Sequence, residues 1–368
     1  MNTALEEIII DTIKARGKDG FMRLDEYMSL CLSHPEYGYY MTHDPLGEAG
    51  DFTTAPEISQ MFGEMIGAWL ADTWIKMGAP AKINITECGA GRGTLMADAL
   101  RATKGVEGFH NAVHLHIIEI SPVLKKQQQE GLKAYDATWH SDTESLPTDS
   151  PHLIIGNEFL DALPVRQFVF TDTGWAEKII KIDINDTMCL YEIALDEKAE
   201  KLIPTLLIPP KIGDHLEVSL EQNEFINQVS KIILNQGGNT LFLDYGFIHN
   251  VAGDTLQAVK NHQYCGVLES SGEADLTAHV NFSKITEEIM ANGLTVHGPV
   301  SQADFLKRLG IEARAEILSQ HATDKQRVDL GLALKRLTGE KTQDGEMGAL
   351  FKVIAFSSDP QSNLAGFS

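Results

Sequence analysis

Apolar positions recur at helical spacing through the first eighty residues of the chain. Ile8, Ile9, Ile10 and Ile13 build one face and Leu24 to Leu32 a second, while Pro56 to Met77 reads as one long helix opened by proline in its first turn. From Ile83 the period changes. A short apolar strand leads into a glycine turn and a helix (95–103), followed by a strand (115–120), a helix (122–132) and a strand (151–156). This alternation predicts parallel strands joined by right-handed crossovers.

The alternation breaks between 165 and 220, where the runs 167–171, 178–184 and 188–194 are separated by Asp-Thr-Gly and Asn-Asp turn signals. An inserted antiparallel lobe is expected there. Helix–strand alternation then resumes with a helix (221–234), a strand (239–245), a helix (282–291) and a strand (294–297). A helical stretch (301–338) and a last apolar strand (349–356) close the chain. The expected organisation is a helical region over 1–80, a Rossmann-like core over 81–164 and 221–357, a β-rich lobe over 165–220 and a loose tail over 358–368.

The glycine turn carries the first candidate chemistry. Glu87 is followed by Gly89, Gly91 and Gly93, a spacing that differs from the G-x-G-x-x-G of dinucleotide sites. A carboxylate two residues before the loop would repel a pyrophosphate but suits the cationic amino-acid end of S-adenosylmethionine. Glu119, near the end of the next strand, is placed to take ribose hydroxyls, although it lies 32 residues beyond Glu87 against the usual spacing of about 20. The loop between them must be extended.

In an open α/β sheet the ligand sits beyond the carboxyl ends of the strands, which directs attention to the polar groups there. The Glu-x-Gly-x-Gly-x-Gly turn resembles motif I of the Rossmann-like methyltransferases. That resemblance implies that Asn157 and Glu158, which directly follow Leu-Ile-Ile-Gly, face the methyl group and its acceptor, with Asp161 close behind. The alternative is that Asn157 and Asp161 only shape a turn. Asp244 precedes a glycine after the 239–245 strand and could orient a substrate or cap the next segment. Asp275 and His279 lie in a polar stretch ending at Asn281, which suits a helix cap. Asp51, Thr53 and Thr54 form a loop whose hydroxyls and N–H groups could serve a cofactor's carboxylate, and three tyrosines surround Gly38.

Composition narrows the partners. Of the 368 residues, 30 are basic and 52 acidic, for a net charge of -22, which argues against sequence-independent nucleic-acid binding and leaves room for a basic, Arg-bearing protein segment. Cys31, Cys88, Cys189 and Cys265 form no C-x-x-C pair, so no metal site is expected. No apolar run approaches the roughly 18 residues of a membrane span, and the N-terminus lacks a basic region before an apolar core. A soluble, cytoplasmic protein is expected.

Taken in order, the segments 34–40, 50–64, 87–93, 156–164, 244–247 and 272–282, and Gly345-Glu346-Met347-Gly348 before Phe351-Lys352-Val353, resemble one family. It is that of the MidA-like S-adenosylmethionine-dependent methyltransferases, whose mitochondrial members are arginine methyltransferases needed for assembly of respiratory complex I. The resemblance implies a class I methyltransferase sheet, cofactor contacts from Gly89, Gly91, Gly93, Glu119, the 50–54 loop and Asn157, and methylation of a protein arginine. The chain departs from the main arginine methyltransferase class in lacking a loop with paired glutamates, which leaves the roles of individual carboxylates open. With no presequence it looks like a bacterial member. A cofactor-binding assembly factor and a small-molecule methyltransferase are the alternatives, and a homodimer is left open.

Overall fold

The structure, a computed structural model, describes residues 3–44 and 54–368. The chain divides into two compact units. One holds Thr54 and the residues that follow it to Leu160, then Ile226–Phe247 and Lys284–Ser368; the other holds Asp161–Phe225, Ile248–Ser283 and the described residues up to 44.

The first unit is built on seven strands: β1 (Ile83–Cys88), β2 (Val113–Ile118), β3 (Ala137–His140), β4 (His152–Asn157), β5 (Gly238–Phe247), β6 (Thr295–Ser301) and β7 (Phe351–Ser357). Their order across the sheet is β6-β7-β5-β4-β1-β2-β3. β5, β4, β1, β2 and β3 run parallel, whereas β7 is antiparallel to both β5 and β6. After β1 the chain goes to β2 and β3 on one side, then returns to β4 and β5 on the other. The crevice between the tips of β1 and β4 is therefore the topological switch point where such sheets bind ligands.

Every residue of β1 is buried, as expected of a central strand covered on both faces. Ile83 and Ile85 pack in one core with Leu115, Ile117, Leu153, Ile155, Leu241 and Leu243 from neighbouring strands and with Phe62, Ile66, Trp69 and Leu70 from the helix Gln60–Lys76. That helix lies against Thr94–Ala102 so closely that a Cβ on Gly67 would stand 2.5 Å from the Ala99 carbonyl oxygen. Glycine there is a packing requirement.

The other unit contains the helices Ala4–Ala15 and Leu24–Ser33 and two antiparallel sheets. The larger runs Met22–Arg23, Gly174–Ile182, Arg166–Thr171, His215–Val218, with Met188–Ala194 also pairing Gly174–Ile182. Leu5, Ile9, Ile13, Tyr27, Met28 and Ile180 share its core.

The α/β class, the Rossmann-like central sheet and the antiparallel lobe agree with expectation, and the differences, the antiparallel β7 among them, have local causes. The long helix expected over 56–77 is broken in two, Ala55–Ile58 and Gln60–Lys76, because Ser59 takes an extended conformation and its hydroxyl accepts the Met61 N–H at 3.2 Å. The helices before residue 44 group with the β-rich lobe, and the helix Gln60–Lys76 groups with the sheet. The tail is not loose. Leu364 is 2% exposed, Phe367 packs on Phe305 at 5.4 Å between ring centroids, and Arg308 donates to the Gly366 carbonyl at 3.3 Å.

Candidate active site

The turn after β1 is left-handed at each of its three glycines, with φ of 64° at Gly89, 52° at Gly91 and 82° at Gly93. A side chain there is strained for any L-residue. At Gly89 it would also meet a ring, since a Cβ would lie 2.9 Å from Cδ2 of Phe159. The Gly89 N–H donates to the Ile118 carbonyl at 3.0 Å and the Gly93 N–H to that of Ala90 at 2.7 Å, fixing the loop at the tips of β1 and β2.

Glu87 sits just below this loop and is 3% exposed. Its Oε2 is buried and has no hydrogen-bond partner among the described residues. Burial, helped by the nearby charge of Glu119, pushes its carboxyl up to about 8. A buried oxygen left without a partner is costly, and a cationic donor placed before it would satisfy it and favour the carboxylate form.

Glu119, past the end of β2, is held at both oxygens: Oε1 accepts the Ser121 N–H and Oε2 the Gln128 amide, each at 2.8 Å. Burial raises its carboxyl despite these bonds. Each oxygen keeps a further lone pair, so a diol could donate to both.

Beyond β4 the chain turns at Glu158, a non-glycine residue with φ of 51°. Strain of this kind persists only where surroundings enforce it, and they are visible. The Glu158 N–H donates to the Leu243 carbonyl at 2.9 Å, and its Oε1 accepts the Ala55 N–H and the Asn157 amide, each at 3.1 Å. Asn157 Oδ1 is buried with no partner among the described residues. Asp244, 1% exposed, receives the N–H groups of Phe159 at 3.2 Å and Leu160 at 2.9 Å on Oδ2 and that of Tyr245 at 2.9 Å on Oδ1. Its carboxylate thus clamps the loop carrying Glu158.

The sequence candidates divide accordingly. Glu87, Gly89, Gly91, Gly93, Glu119, Asn157, Glu158 and Asp244 all lie at strand tips of the sheet unit. Thr54 precedes the helix Ala55–Ile58 there and accepts the Glu57 N–H on its carbonyl at 3.0 Å. Asp51 and Thr53 lie outside the described residues. Asp161 and His279 belong to the other unit, where the Asp161 carbonyl accepts the Ala278 N–H at 3.1 Å and the His279 N–H donates to Thr255 Oγ1 at 2.9 Å. Three further groups were not anticipated. Thr94, opening the helix after the glycine loop, donates to Glu57 Oε1 at 2.6 Å, and Gln128 and Trp139 form a hydrogen-bonded pair at 2.9 Å beneath Glu119. A run of Lys-Lys-Gln-Gln-Gln reads as a solvated helix face and gave no signal for Gln128.

These residues fit S-adenosylmethionine: a turn that a Cβ would fill, an orphaned buried carboxylate oxygen for the ammonium and a second carboxylate for the ribose. Among the described residues no group of three or more His, Cys, Asp or Glu could hold a metal ion, and no helix is long and apolar enough to cross a membrane.

Comparison with known proteins bears on the same chemistry. Residues 65–300 match the model of a family described as an S-adenosyl-L-methionine-dependent methyltransferase. The protein arginine methyltransferase NDUFAF7, mitochondrial, of Xenopus tropicalis is 33% identical, covering 99% of this chain and 89% of the relative. The Drosophila melanogaster homologue of the same name is 35% identical, covering 90% of this chain and 80% of the relative. A crystal structure of a COG1565 superfamily member from Burkholderia thailandensis, bound to S-adenosyl-homocysteine, superposes with a TM-score of 0.82 at 28% identity, covering 99% of this chain and 95% of that one. The expectation of a cytoplasmic protein is overturned by the curated relatives, which are named as mitochondrial.

Proposed function

We propose, from the premise that the chain belongs to this family of S-adenosyl-L-methionine-dependent methyltransferases, that the group it methylates is the guanidinium of an arginine in a protein. The relatives named as protein arginine methyltransferases support the acceptor class, and the net charge of -22 suits a cationic segment. A subunit of respiratory complex I, implied by the family resemblance, is the proposed substrate.

When bound, the cofactor supplies an electrophilic sulfonium methyl. The chain's task is to hold the acceptor in line at about 3 to 3.5 Å and to make a guanidinium nucleophilic. Arginine stays protonated at neutral pH, so its lone pair must be localised by a carboxylate. Glu158 is assigned that role. The observation that carries it is the strained Asn157–Glu158 turn at the β4 tip, where a buried Asn157 oxygen without a partner among the described residues lies beside a carboxylate. Asn157 would accept one guanidinium N–H, Glu158 would orient the others, and the displaced proton would pass to solvent as the N–CH₃ bond forms and the S–CH₃ pair returns to sulfur. Asp244 acts through the loop it clamps. Glu87 and Glu119 are assigned to the cofactor's ammonium and ribose.

The test is transfer from methyl-labelled S-adenosylmethionine into an extract containing complex I subunits, with the labelled residue located by mass spectrometry. Label on arginine is expected. Label only on small molecules, or none while the cofactor binds, would replace the arginine reading.

A further inference from the structure

Gln128 has the connections of a group that sets the cofactor site's shape. It lies on the helix Pro122–Gly131, and its side chain is fully buried. The amide Nε2 donates to the carbonyl of Gly91 at 2.9 Å and to Glu119 Oε2 at 2.8 Å, while Oε1 accepts the indole N–H of Trp139 at 2.9 Å. Its orientation is unambiguous. An indole N–H only donates, whereas a carbonyl and an ionised carboxylate only accept, so the amide oxygen must face Trp139 and the NH₂ the other two.

One amide therefore ties three strand tips: the middle glycine of the loop after β1, the carboxylate after β2, and Trp139 on β3. We infer that Gln128 is a positioning residue that couples the two ends of the cofactor site, holding Glu119 for the ribose diol in register with the glycine loop. The inference rests on the assignment of Glu119 to the ribose. It adds that Glu119 reads the diol only while Gln128 presents its NH₂ and Trp139 keeps the amide from flipping. Without the indole N–H, the amide oxygen is free to turn towards two acceptors and repel both.

The test is calorimetric titration of S-adenosylhomocysteine and its 2′-deoxy analogue into the wild-type chain and into Gln128→Leu and Trp139→Phe variants, with circular dichroism as the fold control. The wild type should discriminate against the deoxy analogue by about tenfold or more, the size of a hydrogen bond to a charged group. In Gln128→Leu that ratio should collapse towards one, with overall affinity also reduced. Trp139→Phe, which leaves Gln128 in place, should lower the ratio in the same direction. A folded Gln128→Leu protein that keeps the wild-type ratio overturns the inference, and if that variant does not fold, an unchanged ratio in Trp139→Phe does so. A wild-type chain that binds neither compound, or both equally, would instead overturn the assignment of the ribose site itself.

Discussion

At the scale of single residues, the site is organised by groups that are uncomfortable without a ligand. Glu87 is the clearest. A carboxyl whose pKa stands at about 8 in the fold against 4.5 when exposed holds its proton more tightly in the native chain than in the unfolded one. Its contribution to stability is therefore whole below about pH 4.5 and is lost as pH rises through about 8. The cofactor-free protein should show a component of melting temperature that falls across this window and that Glu87→Gln removes. A cationic ammonium reverses the balance by favouring the carboxylate, so binding near pH 7 should release a proton. Calorimetry in two buffers of different ionisation enthalpy measures this directly, and no release in the wild type would contradict the assignment of Glu87. Gly89 supplies a second prediction at this scale. Alanine there must adopt φ near 64° and displace the Phe159 ring, costing about 1–2 kcal/mol from the backbone alone. A lowered unfolding midpoint with weakened adenosylhomocysteine binding is expected.

At the scale of elements, the sheet unit depends on polar groups placed between helices. Glu64, 4% exposed on the helix Gln60–Lys76, takes Arg314 through both oxygens at 2.7 and 3.0 Å and Arg101 at 3.3 Å. Glu64→Ala should lower unfolding stability by roughly 2 kcal/mol, the size of hydrogen bonds to a charged group, because both arginines keep contact with water and no buried charge is left unpaired; denaturant titration checks this. Ser59→Ala removes the cap that starts the same helix and should cost about 1 kcal/mol. β1, its glycine turn, β2 and β4 were legible in the sequence because a buried parallel strand is a bare apolar run and a left-handed turn demands glycine. The break at Ser59 was not, since the apolar pattern continues through it and only the extended backbone at that residue divides the helix. Nor was the reversed direction of β7, because an apolar strand reads the same either way. β3, at Ala137–His140, is too short to carry a periodic signal. The packed tail had a signal in Leu364 and Phe367, but two apolar residues after a strand resemble a frayed end until the core that receives them is known.

At the scale of the whole molecule, the proposed function rests on the joining of a cofactor turn to an acidic acceptor site. The first half was legible because Glu87, the three glycines and Glu119 lie close to one another along adjacent strand–helix units. The second was legible only as candidates. Asn157, Glu158 and Asp244 come together at strand tips 85 or more residues apart, whereas Asp161, immediately after them in sequence, falls in the other unit. Of the two readings open for Asp244, orienting a substrate or capping a segment, the structure shows it holding three backbone N–H groups, and Glu158 lies in the strained turn that this clamp supports. The strong acidity of the chain predicts that methylation of an arginine-rich peptide slows as salt rises from low to physiological ionic strength, where screening shortens to about 8 Å; a salt-independent kcat/KM would remove electrostatic attraction from the account. The most direct test of the central claim is single-turnover methyl transfer to an arginine substrate by the wild type and by Glu158→Gln, at saturating cofactor. Glutamine preserves an acceptor for Ala55 but loses the charge proposed to localise the guanidinium lone pair. A loss of about a hundredfold or more in the transfer rate with adenosylhomocysteine affinity unchanged is expected, and transfer at the wild-type rate would rule out the role proposed for Glu158.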